Sequence, residues 1–222
     1  MITCNMEQGS PAWHHARLGL PTASTISALV TPTGKATTGT KPNTYLQTLL
    51  TQRFAGFGMG DFKSKAMERG HALEPQARGY YSMLTGRTVS TVGFVFRDEA
   101  RDCGCSPDGM MLADEIGLEI KCPMPKQHIK VLVTDDPRDY MPQVQYTMWI
   151  TGYKVWDLLL YTDNDRIPSK VFSVSRDARF MIAFDEVVPP FIKKLEEETK
   201  RLEAMGAVRI GQDWDIMNPE YD

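Results

Sequence analysis

Apolar residues along the first third of the chain recur at helical spacing. Residues 10–30, SPAWHHARLGLPTASTISALV, read as a short helix, a turn at Gly19-Leu20-Pro21 and a second helix capped by Thr22 or Ser24. Residues 31–44, TPTGKATTGTKPNT, carry Thr, Gly and Pro without a period and read as a mobile surface loop. Helical spacing returns over residues 45–56, breaks through FGMGDF, and resumes over 64–86, ending on Gly86. From Arg87 onward the period shortens to two. TVSTVGFVFR, CGCSPDG, GMMLAD and IGLEIKCP read as short strands of a meander, joined by Gly, Asp and Pro turns. A helix is expected in DYMPQVQYTMWITG, strands in VWDLLLYT and KVFSVS, and a long last helix over 178–206 that Pro189-Pro190 kinks or divides. This order predicts one domain over 1–222 of α/β class in the α+β sense, with helices flanking a central mixed β-sheet. Its helical part covers about 1–86, and its sheet and remaining helices about 87–210.

Composition narrows the class without naming a chemistry. With 222 residues, 42% hydrophobic and 24% charged, the chain suits a single globular core and neither a disordered nor a fibrous protein. No apolar run approaches the roughly 20 residues of a bilayer span, and MITCNMEQGSPAW lacks a basic-then-apolar leader, so a soluble cytoplasmic protein is expected. The four cysteines are too sparse for a disulfide scaffold. Cys103, Cys105 and Cys122 lack the usual knuckle spacing of a zinc or iron–sulfur site and read as small buried fillers. A net charge of −3 says little about any one groove, because clustered carboxylates lower the sum even beside basic groups.

The informative stretch is CGCSPDGMMLADEIGLEIKCP. On a strand, residues two apart share a face, so Glu119 and Lys121 project together while Ile120 points into the core. A hairpin through GMMLADEIG would bring Asp108 beside Glu119 although the two are eleven positions apart. Carboxylates held that close repel unless a proton or cation lies between them. Mg2+ meets that need with one or two carboxylates, here Asp108 and Glu119, the Ile120 backbone carbonyl and waters, leaving positions for phosphate oxygens. Lys121 beside the ion would hold an attacking water or offset charge on phosphorus, which fits phosphodiester hydrolysis. The other reading of the same residues is an ordinary Pro-Asp-Gly turn and a solvated strand face.

These residues resemble the PD-(D/E)XK nuclease signature, carried by Pro107-Asp108, Glu119 and Lys121. WHHARLGLPTAS, ERGHALEP, CSPDG, GLEIKCP, QVQYTMW and FDEVVPPFIKKL occur in the order and approximate spacing of its lambda-exonuclease-type branch, the YqaJ-type viral recombinase family. The resemblance covers almost the whole chain. It implies a restriction-endonuclease-like core and a Mg2+-dependent 5′ to 3′ exonuclease, with Mn2+ as a substitute. Such an enzyme degrades one strand of linear double-stranded DNA, leaving a 3′ single-stranded tail for phage-type recombination by strand annealing. It further implies two metal ions, a homotrimeric ring around the duplex, a preference for 5′-phosphorylated ends, a single-strand annealing protein as partner, and a bacterial host cell.

By the same resemblance Glu74 is an acidic residue near the metals, and Gln145 shapes the catalytic pocket. Arg17 holds the 5′-phosphate, with Ser24 beside it. Met67 falls where the family places an apolar wedge, Lys35 in a loop touching DNA ahead of the site, and Asp114 or Glu115 where a second metal finds a further acid. Outside that set, His14 and His15 diverge by about 100° on a helix and read as surface residues. Trp13, Trp149 and Trp156 read as core or interface anchors. KKLEEETKRLE reads as a solvated helix face with i,i+4 pairs, or a subunit contact. The alternatives on this fold are an endonuclease or junction resolvase, and a DNA-binding recombination module without catalysis.

Overall fold

The computed structural model describes residues 1–56 and 65–211. A short strand, β1 (Ile2–Cys4), leads into helix α1 (Pro11–Ala16), a 3-10 helix (Ala23–Ala28), and helices α2 (Lys41–Ala55) and α3 (Lys65–Thr85). Strands β2 (Phe94–Phe96), β3 (Gly104–Cys105), β4 (Gly109–Met111) and β5 (Ile116–Lys121) follow. Next come helix α4 (Pro125–Thr134), a short 3-10 turn (Arg138–Tyr140), helix α5 (Met141–Thr151), strands β6 (Val155–Leu160) and β7 (Lys170–Ser175), and helix α6 (Ala178–Ala204).

The strands form two sheets. β1-β2-β3 is antiparallel, and β4-β5-β6-β7 is mixed, with β5 and β6 parallel at its centre. A parallel pair needs a long crossover, here the run through α4 and α5. β1 pairs with β2 about ninety positions away, Ile2 opposite Phe96, so the N-terminal part is not helical throughout. Helix α5 is buried on nearly every side. It packs against β2, β3, β6, α6 and the first 3-10 helix, and its Tyr146 and Trp149 rings meet Phe184 of α6. Among the described residues no helix is long and apolar enough to cross a membrane.

Four local readings change. The supposed loop at 31–44 is pinned: Thr31 N–H donates to Lys35 O at 2.8 Å, Thr37 N–H to Leu29 O at 2.8 Å, and Val30 bridges Ala36. Its last residues already belong to α2. Helix α4 has no counterpart in the sequence reading, because exposed Ile129 and Val133 blur its apolar face. Of the two outcomes expected at Pro189-Pro190, division is ruled out: helix α6 runs as one element through both. Glu196, in the charged run, leaves the solvated face to meet Arg53 Nη1 at 2.5 Å. Arg53 is 2% exposed; it also donates to Thr199 Oγ1 at 2.8 Å and to Gly19 O at 3.0 Å, tying α2, α6 and the Gly19 turn together. Gly19 is required there twice over: its φ is +65°, and Arg53 Cγ occupies the space a Cβ would take.

All four cysteines are buried and free, as their filler role demands. Trp156 is fully buried, and its ring lies over Gly117, its register partner on β5. A methyl group at Gly117 would overlap three ring atoms of that indole. Gly117→Ala is therefore expected to destabilise the fold by about 1–3 kcal/mol through overpacking, read as a lowered urea midpoint with an unchanged slope.

Candidate active site

The β4–β5 hairpin is the one the sequence pattern anticipates. Gly109 stands opposite Leu118, and one further step of that register sets Asp108 opposite Glu119. Ile120 N–H donates to Asp108 Oδ2 at 2.6 Å, which anchors the carboxylate across the hairpin. Ile120's side chain packs into the core with Leu118 and Leu159, so Glu119 and Lys121 face the other way. Lys121 Nζ lies 2.7 Å from Glu119 Oε1.

These groups floor a cleft of about 240 Å³. Glu74, Gly70 and His71 of α3 form one wall, Gln143 of α5 another, and Arg17, Trp13, Thr22 and Ser24 the far end. Glu74 is held by Arg78, whose Nη2 meets Glu74 Oε1 at 2.5 Å and whose Nε donates to Asp108 O at 2.9 Å. Asp108, Glu119, Ile120, Lys121, Glu74, Arg17 and Ser24 are thus brought together as expected.

Gln145 is not among them. Its amide accepts from Asp177 N–H at 2.9 Å and donates to Ser175 O at 2.9 Å, fastening β7 to the start of α6. The residue in the cleft is Gln143, which donates to Glu119 Oε1 at 2.5 Å and accepts from Lys121 Nζ at 2.9 Å. Two positions on a helix differ by about 200°, so only one glutamine of QVQ can face the strand. Asp114 and Glu115 are also misplaced as ligands. They lie in the hairpin turn, at the opposite end of β4 and β5 from Asp108, and Asp114 pairs with Arg87 at 3.7 Å. Lys35 is exposed and does not line the cleft. The Met67 side chain lies outside the described residues.

Burial pushes the Asp108 carboxyl well above its ordinary range, and the neighbouring Glu119 pushes it further. Burial also raises Glu119, against the pull of Lys121. Burial alone would depress Lys121, yet Glu119 and Asp108 more than offset it, so its ammonium is favoured. One ammonium thus faces the buried Glu119 and the half-buried Asp108, with Glu74 close by, which leaves negative charge uncompensated. Among the described residues no three His, Cys, Asp or Glu side chains form a closed metal cage. A pair of carboxylates beside a backbone carbonyl is instead the sparse donor set that Mg2+ accepts. At the far end, burial lowers Arg17 to about 10. Tyr45 and Cys105 partly offset that lowering, and Ser24 Oγ lies 3.4 Å from Nη2. A desolvated guanidinium in that state favours an incoming anion.

Residues 12–154 match the model of the YqaJ-like viral recombinase domain. The alkaline exonuclease LHK-Exo of Laribacter hongkongensis superposes with a TM-score of 0.77 at 30% identity, over 89% of this chain and 98% of that one. Its complex with dAMP gives 0.76 at 31% identity over the same shares. A phage-related exonuclease of Haemophilus somnus 129PT shares the fold, with a TM-score of 0.60 at 14% identity over 85% of this chain and 96% of that one. A stretch of 76 residues, 34% of this chain, is 37% identical to the protein ExoD of Escherichia coli strain K12 and spans 83% of it.

Removing the Asp108 charge should stabilise the metal-free fold. Asp108→Asn keeps an acceptor for Ile120 N–H and is expected to gain about 0.5–2 kcal/mol at neutral pH, read by thermal melting in EDTA. A carboxyl raised in the folded state binds its proton more tightly there than when unfolded. The parent's deficit is therefore present above the folded value, shrinks as pH falls through it, and is gone below the unfolded value of about 3.9. The gap between parent and variant should close over that window.

Proposed function

Because the chain belongs to the YqaJ-like viral recombinase family, we propose that it is a nuclease of phage-type recombination, specifically a Mg2+-dependent 5′ to 3′ exonuclease acting on linear double-stranded DNA. The observation that carries this reading is the charge layout of the cleft: the carboxylates of Asp108, Glu119 and Glu74 and the guanidinium of Arg17 line one cavity. The carboxylates suit a cation and the guanidinium a terminal phosphate. The exonucleases similar in structure support the same reaction class.

Asp108, Glu119 and the Ile120 carbonyl would hold the ion, with Mn2+ as a substitute. Once bound, it supplies Lewis-acid polarisation and charge neutralisation at a phosphodiester oxygen. Lys121, fixed by Glu119 and Gln143, would position or activate the attacking water or offset charge on the phosphate. Glu74, held by Arg78, lines the path between floor and mouth. Arg17 and Ser24 seat the 5′-phosphate, which sets the direction of digestion without reading bases. The same reading assembles three copies into a ring around the duplex and passes the 3′ tail to a single-strand annealing protein.

A linear duplex labelled at one 3′ end tests the activity. In Mg2+ the label should appear in fragments shortened from the 5′ side, with none in EDTA and a closed circular plasmid left intact. Lys121→Ala should lower the rate by about 100-fold or more. Nicking of the plasmid would replace the exonuclease with an endonuclease.

Arg17→Ala should leave cleavage of 5′-hydroxyl ends near the parent rate while reducing that of 5′-phosphorylated ends. An unchanged ratio between the two ends would remove Arg17 from the phosphate site.

A further inference from the structure

We infer that Trp13 is a positioning residue that ties the grip on a 5′-phosphate to the Ser106-Pro107-Asp108 turn, an inference that rests on the reading of Arg17 above. Trp13 lines the cleft beside Arg17 and reaches the turn that leads into Asp108. The Arg17 guanidinium lies over its ring, 3.9 Å from the centroid. Its indole N–H is shared between Ser106 Oγ at 2.9 Å and Gly93 O at 3.1 Å. Ser106 is two residues from Asp108, and the peptide between them is gripped a second time, because Gln8 Nε2 donates to Pro107 O at 2.8 Å.

Neither contact is an incidental feature of core packing. Ser24 Oγ, 3.4 Å away, is a weak tether, so the indole face, 3.9 Å from the guanidinium at its centroid, is a principal surface orienting it. The ring is itself fixed: its backbone N–H is capped by Ser10 Oγ at 3.2 Å, and His14 packs edge-on at 4.9 Å between centroids. A phosphate drawing Arg17 inward loads the ring, and the ring's edge bears on the residue that leads into the carboxylate floor. A plain anchor would need neither an open face toward Arg17 nor an edge on the Asp108 turn.

The test compares affinities for a short duplex with a 5′-phosphoryl or a 5′-hydroxyl end, by fluorescence anisotropy in EDTA, and then kcat and KM in Mg2+. Trp13→Leu should weaken binding of the phosphorylated end about 2- to 30-fold, the range for losing a cation–π contact, and leave the hydroxyl end unchanged. Trp13→Phe, which keeps a ring face, should restore most of the preference. Ser106→Ala should keep the preference and lower kcat on both ends alike, about 2- to 10-fold with KM unchanged. A Trp13→Leu protein with the parent's affinity ratio overturns the inference, as does a loss that Trp13→Phe fails to rescue. Should Trp13→Leu not fold, the parent's indole emission serves instead. It should change with the phosphorylated end and not the hydroxyl end, and that difference should vanish in Trp13→Phe; equal responses overturn the inference. Absence of Mg2+-dependent cleavage by the parent would defeat the exonuclease reading alone, because the EDTA affinities remain readable. Equal parent affinities for both ends would defeat the Arg17 assignment and this inference with it.

Discussion

Two carboxylates side by side on neighbouring strands, mostly withdrawn from water, are the costliest arrangement in this molecule, and much of its design answers to them. Desolvation disfavours both charges and proximity disfavours the pair. The fold responds with a fixed frame that prevents their separation: β5 is paired on both edges, antiparallel to β4 and parallel to β6. Lys121 and Gln143 then close a hydrogen-bonded ring with Glu119. Ile120 N–H and Arg78 hold Asp108 by its side chain and its carbonyl. Compensation is partial, and the remainder keeps the cleft electrically negative at its floor.

The hairpin was legible because two rules agree there. A Pro-Asp-Gly turn marks the strand start, and a period of two puts Glu119 and Lys121 on one face with Ile120 on the other. Helices α2 and α3 were legible from their spacing and from Gly86 at the end of α3. Gln143 was not. In QVQ both glutamines suit a cleft, and which one faces it depends on how α5 rotates against β5, a tertiary fact absent from local pattern. Gln145 is the more buried of the two and serves as a clamp between β7 and α6. Asp114 and Glu115 misled for a related reason: they are near Glu119 along the chain, yet at the far end of an extended hairpin.

Arg53 shows a different limit. Its position on α2 carries nothing to suggest burial, and its partners, Gly19 and Glu196, lie 34 and 143 positions away. A buried arginine is tolerable only when all its partners arrive together, so its role emerges from packing that no window of sequence contains. The charged run on α6 carries Lys193–Glu197 and Arg201–Glu198 pairs on its surface. Its inward members, Leu195 and Thr199, are buried, and Glu196 reaches Arg53 beside them.

The central parallel pair also dictates when the site comes into being. β6 can join β5 only after the whole crossover, residues 122–154, has been synthesised, and β1 waits for β2 across most of the preceding chain. Contacts this distant in sequence form late and slowly. Arg17 and Trp13 leave the ribosome early but lack the turn that braces them; Asp108 and Glu119 follow without Gln143 or the second edge of β5. The cleft is thereby incomplete in a nascent or half-folded chain, and its parts meet only in the finished object.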